Sequence, residues 1–566
     1  MSINGTLNVA ATSLRASQLA LQTVGNNIAN AGNEHYARQV TRQSGATPQE
    51  VKPGMFVGTG VNVDSIERQV DESVEQRLRA SVADSEGSAA ASQWMSRAEA
   101  IFNELSDEDL STGMSTFFNG WSDLANKPQD VGLRQVVVQN GANLASQVKS
   151  LRTQFSNLRS DLQGRVKSYT ADADAIGKKI ADINKQIALA ERGMGTANGL
   201  RDQRDTLLKD LSKQMNFSAL AGDNGMVNVF VGSEAFITGS VTRGMAVKEE
   251  VDAKTGDVTQ TIVFKDNGGT IPITSGILGS TRESLAVIDG ATQGIDDLAG
   301  TMIFELNKVH ASGQGLRGFS DLTSDSAVDD AAAALNSAEA GLSFKPNNGS
   351  FVVHVKDKAS GSVSSTLVQV DLDGSGTDTS LNSLVGELDG IDDISARVTG
   401  GKLNLRADGD AVEISFSQDS SGALAALGIG SFFTGSDGRD IAVKSELAKD
   451  PRLLSASKNG QPADNKTAKL IAALQKQPMS TLNDQSLADA YQGQVNGIAA
   501  KVAGAKQDAD AAQVVRDTLQ SQRESISGVS LDDEAISLMK YQRAYQASSR
   551  VIAATDEMMQ TLLSLV

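Results

Sequence analysis

The chain contains no cysteine. That excludes disulfides, thiolate nucleophiles and cysteine-ligated metal, and it suits a protein exported unfolded into oxidising surroundings. Histidine is nearly absent too: His35, His310 and His354 lie far apart, and no two share the spacing of ligands on one helix. No catalytic or metal-binding role is expected for any of them. No run of about 18 apolar residues occurs, so no membrane span is expected. Residues 1–20 lack a basic start followed by a continuous apolar core, so a cleavable secretory signal is not expected either. Positive charge is in deficit: the net charge of -18 argues against nucleic acid or an anionic membrane surface as partner. The P-loop, G-x-S-x-G and H-E-x-x-H patterns are missing. The expectation is a protein with no cofactor, no metal and no enzymatic activity.

What the chain has instead is helical periodicity at both ends. Ile3, Leu7, Ala10, Leu14, Ser17, Leu21, Val24 and Ile28 recur at alternating steps of four and three, a heptad stripe along one helix face. Between Met1 and Asn33 the only charged residue is Arg15. A solvated helix carries Lys and Glu on its outer face. Here that face holds Asn, Gln, Ser, Thr and Ala, which suits packing against neighbours on several sides.

A matching stripe closes the chain: Leu538, Tyr541, Tyr545, Ser548, Ile552, Thr555, Met559, Leu562 and Val566. Beside it runs a second apolar row of Ala544, Val551, Met558 and Leu565. Ser530 with Asp533 and Glu534 marks a capped helix start, with carboxylates favoured by the helix dipole. The two terminal helices are therefore expected to pair antiparallel as a coiled coil. Two helices cannot bury two apolar rows, so other subunits would cover the remainder. The residues expected to make assembly contacts are Ile3, Leu7, Leu14, Leu21, Val24, Ile28, Leu538, Tyr545, Ile552, Met559 and Leu562.

The interior reads as a nested, elongated, multidomain α+β chain. Residues 36–62, punctuated by Pro48, Pro53 and four glycines, read as an extended linker with hairpin-like strands. Helical patterning is expected from residue 64 to about 214, opened by Ile66, Val70, Val74 and Leu78. It includes a stretch near 114–124 and one long helix over 133–190, whose stripe stutters at Leu162 beside Gly164. Strands are expected at 226–231, 235–238, 261–264 and 271–273, followed by a helix over 282–309. Residues 313–438 read as an inserted α+β or β-rich domain with strands near 351–355, 367–372, 402–405 and 412–416. Helix resumes over 480–523. The expected domains are 1–35 with 528–566, the linker, a helical bundle of 63–312 with 439–527 carrying the β segment 216–280, and the insert.

Two motifs imitate ligand sites. Gly313-Gln314-Gly315-Leu316-Arg317-Gly318 satisfies G-x-G-x-x-G but follows a helix rather than a strand, so it reads as the hinge into the insert. Asp371-Leu372-Asp373-Gly374-Ser375-Gly376-Thr377-Asp378 has the opening of a calcium loop. Its twelfth position, however, is Asn382 where a bidentate Glu is needed. The ordinary reading is an Asp/Gly turn leading into a helix.

Leu14 to Ala31, ending Val24-Gly25-Asn26-Asn27-Ile28-Ala29-Asn30-Ala31, resembles the N-terminal signature of bacterial flagellar axial proteins, which build rod, hook and hook-associated structures. That signature usually continues Thr-Pro-Gly-Tyr-Ser-Arg; here Tyr36 and Arg38 are kept and the Pro-Gly turn is replaced. Gly528 to Glu534 and Tyr541-Gln542-Arg543-Ala544-Tyr545-Gln546-Ala547-Ser548 resemble the closing signature of the same family, most closely its hook-associated members. Asn307 to Gly313 and Leu427 to Phe433 do likewise. The resemblance implies a structural, extracellular flagellar subunit joining hook to filament and permitting flagellin assembly. It implies export through the flagellar type III apparatus with a cytoplasmic chaperone at the C-terminal region. Implied neighbours are the hook protein, the next hook-associated protein on the filament side, and other copies of the chain in a ring or helical array. A hook, rod or filament-type subunit is the alternative within the family. An enzyme or adhesin displayed through the insert is the alternative outside it.

Overall fold

Helix α1 (Ile3–Ala29) leads into four short strands, β1 (Gln39–Gly45), β2 (Gln49–Lys52), β3 (Met55–Val57) and β4 (Val61–Arg68). The helices α2 (Glu72–Phe102), α3 (Leu110–Asn126), α4 (Val131–Ala190) and α5 (Asn198–Gln214) follow. Strands β5 (Ser218–Ala221), β6 (Val227–Val231), β7 (Glu234–Thr238), β8 (Val241–Thr242), β9 (Met245–Val251) and β10 (Val258–Phe264) precede α6 (Gly276–Ala311). Next come β11 (Asp321–Thr323), β12 (Gly349–Asp357), β13 (Val363–Val370), α7 (Leu381–Asp389), β14 (Ile394–Thr399), β15 (Lys402–Ala407), β16 (Val412–Ser417) and α8 (Ala423–Leu427). The chain closes with β17 (Phe433–Thr434), β18 (Ala442–Val443), α9 (Ser445–Lys449), α10 (Lys466–Ala473), α11 (Leu487–Ser527) and α12 (Leu531–Ser564). The computed structural model describes residues 3–102, 109–193, 195–252 and 256–564. Leu565 and Val566, expected at the end of the C-terminal rows, lie outside the described residues. The mixed α+β class and the paired terminal helices expected from the sequence are both present.

The backbone divides into two units woven from alternating pieces of chain. The first takes Met1–Trp94, Leu162–Ser284 and Ala503–Val566; the second takes Met95–Asp161 and Leu285–Val502. Helix α4 contributes to both. It has 60 residues. At 1.5 Å of rise for each, that is a length of about 90 Å. No proline falls between Pro128 and Pro272 to interrupt it. Asp130 starts the helix by accepting from the amides of Gly132 (2.8 Å) and Leu133 (3.1 Å), as a capping carboxylate does.

In the first unit, the later turns of α4 and helix α5 bury Val166, Ala173, Ile180, Leu208 and Leu211 against Val229, Val231, Phe236, Ile237 and Phe264 of the sheets. Strands β5 to β8 pair in sequence order and β9 pairs with β10, all antiparallel. A buried amide ties sheet to helix. Asn184 Nδ2 donates to the Val227 and Gly239 carbonyls (2.7 Å each), and its Oδ1 accepts from Val227 N (3.2 Å).

Two structural differences from the sequence reading fall here. Residues 64–68 do not begin a helix. They continue β4, antiparallel to β1, and helix starts at Glu72. Ile66 fits a helical stripe, but its carbonyl is taken by Thr196 Oγ1 (2.9 Å) and Asn198 Nδ2 (2.8 Å). Long-range pairing overrides the local pattern. Residues 271–273 are not a strand either; Ile271 and Ile273 are buried from an irregular segment bridged to β10.

The second unit holds two cores. One joins the sheets β13-β12-β16 and β11-β15-β14 with α7 and α8. Phe351, Val353 and Val355 alternate inward along β12, and Leu381, Leu384 and Leu388 pack from α7. The other is aromatic: Phe117, Phe118 and Trp121 of α3 meet Phe432 and Phe433. Arg134 is also buried here, its guanidinium donating to the Pro128 carbonyl (3.0 and 2.7 Å) and to that of Leu454. Burial lowers its pKa to about 10.

Candidate assembly interface at the paired terminal helices

Helices α1 and α12 run antiparallel within the first unit. Ser548 Oγ donates to Ser13 Oγ (2.8 Å), and Asn27 Nδ2 donates to Glu534 Oε2 (3.1 Å). The two contacts stand fourteen residues apart on each helix, so one register serves both. Apart from Val24, the residues α1 buries are small or polar: Ala10, Ala16, Ser17, Ala20, Thr23 and Asn27. Those of α12 are Glu534, Ser548 and Thr555. Small side chains let two helix backbones approach closely.

The larger residues expected at the interface flank this seam. Val24 is buried. Ile3, Leu7, Leu14, Leu21, Ile28, Leu538, Ile552 and Met559 are half-buried, and Tyr545 and Leu562 remain exposed. Together with Ile536, Met539, Val551, Met558 and Leu563, the exposed pair leaves α12 with an apolar face that α1 does not cover. Val551 and Met558 stand one turn from the seam residues Ser548 and Thr555, so this exposed row borders the seam rather than facing away from it.

At one end of the pair lies a buried polar cluster that the periodicity did not reveal. Glu534 and Asn27 are each 1% exposed. Arg38 Nε donates to Glu534 Oε1 (2.7 Å), Tyr36 OH donates to Asn27 Oδ1 (2.7 Å), and Asn27 closes a two-way bond with the Gln39 backbone (2.9 and 3.0 Å). Arg38 N donates to the Ser527 carbonyl (2.9 Å), just ahead of α12. Helix α1, the start of β1 and the start of α12 therefore converge on one carboxylate. Burial, with Asp202 and Glu534 nearby, pushes the Tyr36 hydroxyl up to about 12, so it stays a donor. Asp202 is itself raised to about 6, burial outweighing the Arg68 guanidinium 3.0 Å away. In the sequence, Glu534 looked like a residue serving the dipole of α12; in the structure it is a buried ion-pair partner. Asn27 lies beside the heptad stripe rather than in it, so periodicity gave no signal for it.

The other residues singled out lie elsewhere. His35 is exposed on the turn after α1. His354 sits between Ser365 Oγ and Ser417 Oγ (2.7 Å each) across β12 and its two neighbours. Gly315 packs onto the backbone of Arg452 and Leu453, and Gln314 bridges Ser457. Asp371, Asp373 and Asp378 bring carboxylate oxygens within 4.8 Å of one another. Two of these carboxylates accept from loop amides, Asp373 from Ser375 N (2.7 Å) and Asp378 from Gly374 N (3.1 Å). Among the described residues, no helix is long and apolar enough to cross a membrane.

His310 is fully buried beside Trp121 and Phe432. Its Nε2 accepts from Ser455 N (3.0 Å), and its Nδ1 lies 2.7 Å from the Gly430 carbonyl. The first bond requires the neutral ring, with the proton on Nδ1 donated to that carbonyl. Burial lowers its pKa to about 4 from the usual 6.5. Between these values the unfolded chain binds a proton that the folded one refuses. Stability conferred by the neutral ring is therefore complete above pH 6.5 and lost as pH falls towards 4, by about 3 kcal/mol. Urea unfolding followed by Trp121 emission in a Trp94→Phe background is expected to show this slope. A His310→Gln chain should be less stable at pH 7 and flatter between pH 6.5 and 4; an unchanged slope would contradict the assignment.

Comparisons with known proteins bear on the whole chain. Residues 95–323 match the family described as the flagellar hook-associated protein FlgK helical domain, and residues 520–565 match the flagellar basal body rod FlgEFG protein C-terminal family. Flagellar hook-associated protein 1 of Escherichia coli is 25% identical over 582 residues, covering 99% of both chains. The Bacillus subtilis protein of the same name is 24% identical over 571 residues, covering 99% of this chain and 97% of its own. The solved flagellar hook junction protein FlgK from Burkholderia pseudomallei aligns with 80% of this chain and 100% of its own, at 15% identity and a TM-score of 0.49.

Proposed function

From its end-to-end similarity to flagellar hook-associated protein 1, we infer that this chain is a structural subunit of the bacterial flagellum at the junction between hook and filament. It permits flagellin to assemble and works by contact rather than by chemistry. The structural observation that best supports this is the exposed apolar row of α12 that includes Val551, Met558 and Leu562, beside a seam closed by α1. Subunits that repeat such a contact head to tail build rings or helical arrays. In this reading Ile3, Leu7, Leu14, Leu21, Val24, Ile28, Leu538, Tyr545, Ile552, Met559 and Leu562 line or support the contact between copies. The hook protein and the next hook-associated protein are the axial neighbours. The chain reaches the cell exterior through the flagellar export apparatus, escorted by a cytoplasmic chaperone at its C-terminal region. Residues 313–438, which hold one of the two cores of the second unit, form the outward insert.

The test is deletion of the gene, with electron microscopy of the cells and a flagellin assay of the medium. Hooks without filaments, and flagellin lost to the medium, are the expected result. The match of residues 520–565 to the rod-type C-terminal family gives a second reading as another axial subunit. Loss of the hook itself would select that reading, and intact filaments would refute both.

A further inference from the structure

We propose that Glu534 is a positioning residue that sets the register of the terminal helix pair, and through it the face that α12 presents for assembly. Its significance for assembly rests on the junction reading above; the register itself is a property of the single chain and is tested separately.

The seam offers little other means of choosing a register. Ala10, Ala16, Ser17, Ala20 and Thr23 are near-equivalent small residues, and a slide of one or two turns would bring similar surfaces together. The carboxylate breaks this degeneracy. Along the same face of α12, the positions one and two turns from Glu534 are Leu531, Leu538 and Tyr541. None of these is a carboxylate able to accept from both Arg38 Nε and Asn27 Nδ2, as Glu534 does at 2.7 and 3.1 Å. Any slip takes from the Asn27 amide one of its two acceptors, leaving it the Gln39 carbonyl, and leaves Arg38 without its counter-ion. A single buried polar group fixing register in an otherwise uniform helical seam is a well-attested use of such groups.

A slip matters because the exposed row of α12 is tied to the seam. That row includes Val551, Met558 and Leu562. Moving α12 by one turn shifts it by about 5 Å along the pair relative to α1 and the β1–β4 ribbon. A subunit with a slipped pair would present the right residues at the wrong height.

The absence of cysteine supplies the experiment, because two introduced thiols are the only ones present. Ser13→Cys with Ser548→Cys replaces hydroxyls 2.8 Å apart, and mild oxidation of the purified full-length chain should link them efficiently. Ser13→Cys with Ala544→Cys or Ile552→Cys reports a slip of one turn in either direction and should link poorly. In a Glu534→Leu background the first pair should lose at least about tenfold in yield and the slipped pairs should gain. Glu534→Gln, which keeps an acceptor at the site, should recover most of the native pattern.

A second variant guards against simple loss of pairing. Asn27→Leu, Arg38→Met and Glu534→Leu together remove every polar group of the lock while keeping bulk. Helix content by circular dichroism should persist, with cross-links spread over all three positions. Cross-linking only at position 548 in either altered background would overturn the proposal. So would failure of the unaltered background to link there. Loss of linking at every position in the triple variant would mean that the cluster supports pairing rather than register, and would overturn it as well. None of these outcomes depends on whether deletion of the gene removes filaments.

Discussion

Met558→Asp is expected to give a chain that is folded and exported but absent from flagella, and cells that are non-motile. Met558 is 51% exposed and stands one turn past the buried Thr555, at the margin of the seam rather than in it. An aspartate there is solvated in the isolated chain, and thermal unfolding should shift little. In the assembled state the same position would be covered by another copy. Burying what remains exposed of a methionine is worth on the order of 1 kcal/mol, whereas moving an unpaired carboxylate into an apolar contact costs several times that. The charge, rather than the missing thioether, decides the outcome, so Met558→Ala should be only mildly impaired. The contact recurs in every subunit of a closed ring or array, so the penalty is multiplied rather than averaged away. Leu14→Asp and Ile552→Asp should also block incorporation. Both sites are half-buried, however, so these changes should loosen the helix pair as well while leaving the second unit folded. The measurement is immunoblotting of the mutant chain in sheared flagella and in culture medium. Met558→Asp chains recovered in normal filaments would contradict the placement of the interface.

Phe432→Ala should be among the most costly single truncations in the second unit, at about 3–5 kcal/mol. Phe432 is fully buried, with its ring centroid 5.4 Å from Phe117, 5.7 Å from Trp121 and 4.8 Å from Phe433. Its backbone amide donates to Asn307 Oδ1 (2.9 Å), so the segment cannot move far to fill the void. Gly141 of α4 makes the same point from the other side. A Cβ there would stand 2.6 Å from the Phe432 ring. Gly141→Val should therefore also destabilise, by overpacking. Chemical denaturation monitored by Trp121 emission reads both. A midpoint unchanged in Phe432→Ala would mean that this cluster is not the centre of the unit.

Much of this architecture was legible in the residues. The terminal stripes announced α1 and α12, and the long apolar series with no proline announced α4, whose observed limits of Val131 and Ala190 nearly match the expected 133–190. Alternation of Phe351, Val353 and Val355 announced β12. Where strand and helix signals competed, non-local pairing decided. Ile66 fits a helical stripe but is held in β4 by β1, and β9 and β14 mix apolar with charged residues too freely to stand out. The terminal seam was the subtler difference. Periodicity gave weight to the largest side chains, Leu14, Leu21 and Ile28. Close helix approach instead favoured Ala16, Ala20 and Asn27, next to them on the same helix. The buried Asn27–Arg38–Glu534 cluster has no periodic signature, because its members come from α1, from the residue ahead of β1 and from the first turn of α12, and meet only when the chain is folded.

The Asn27–Glu534 contact joins residues 507 positions apart. Closing a flexible loop of that size costs about 5–6 kcal/mol in chain entropy, against a seam made mostly of alanine-sized contacts. The pair is therefore a poor nucleus. It is expected to form late, after the intervening chain has folded and shortened the effective loop. Contact order thus gives the chain a built-in delay. Its sheets and aromatic core settle on local schedules, and the helix that presents the apolar row finds its partner last.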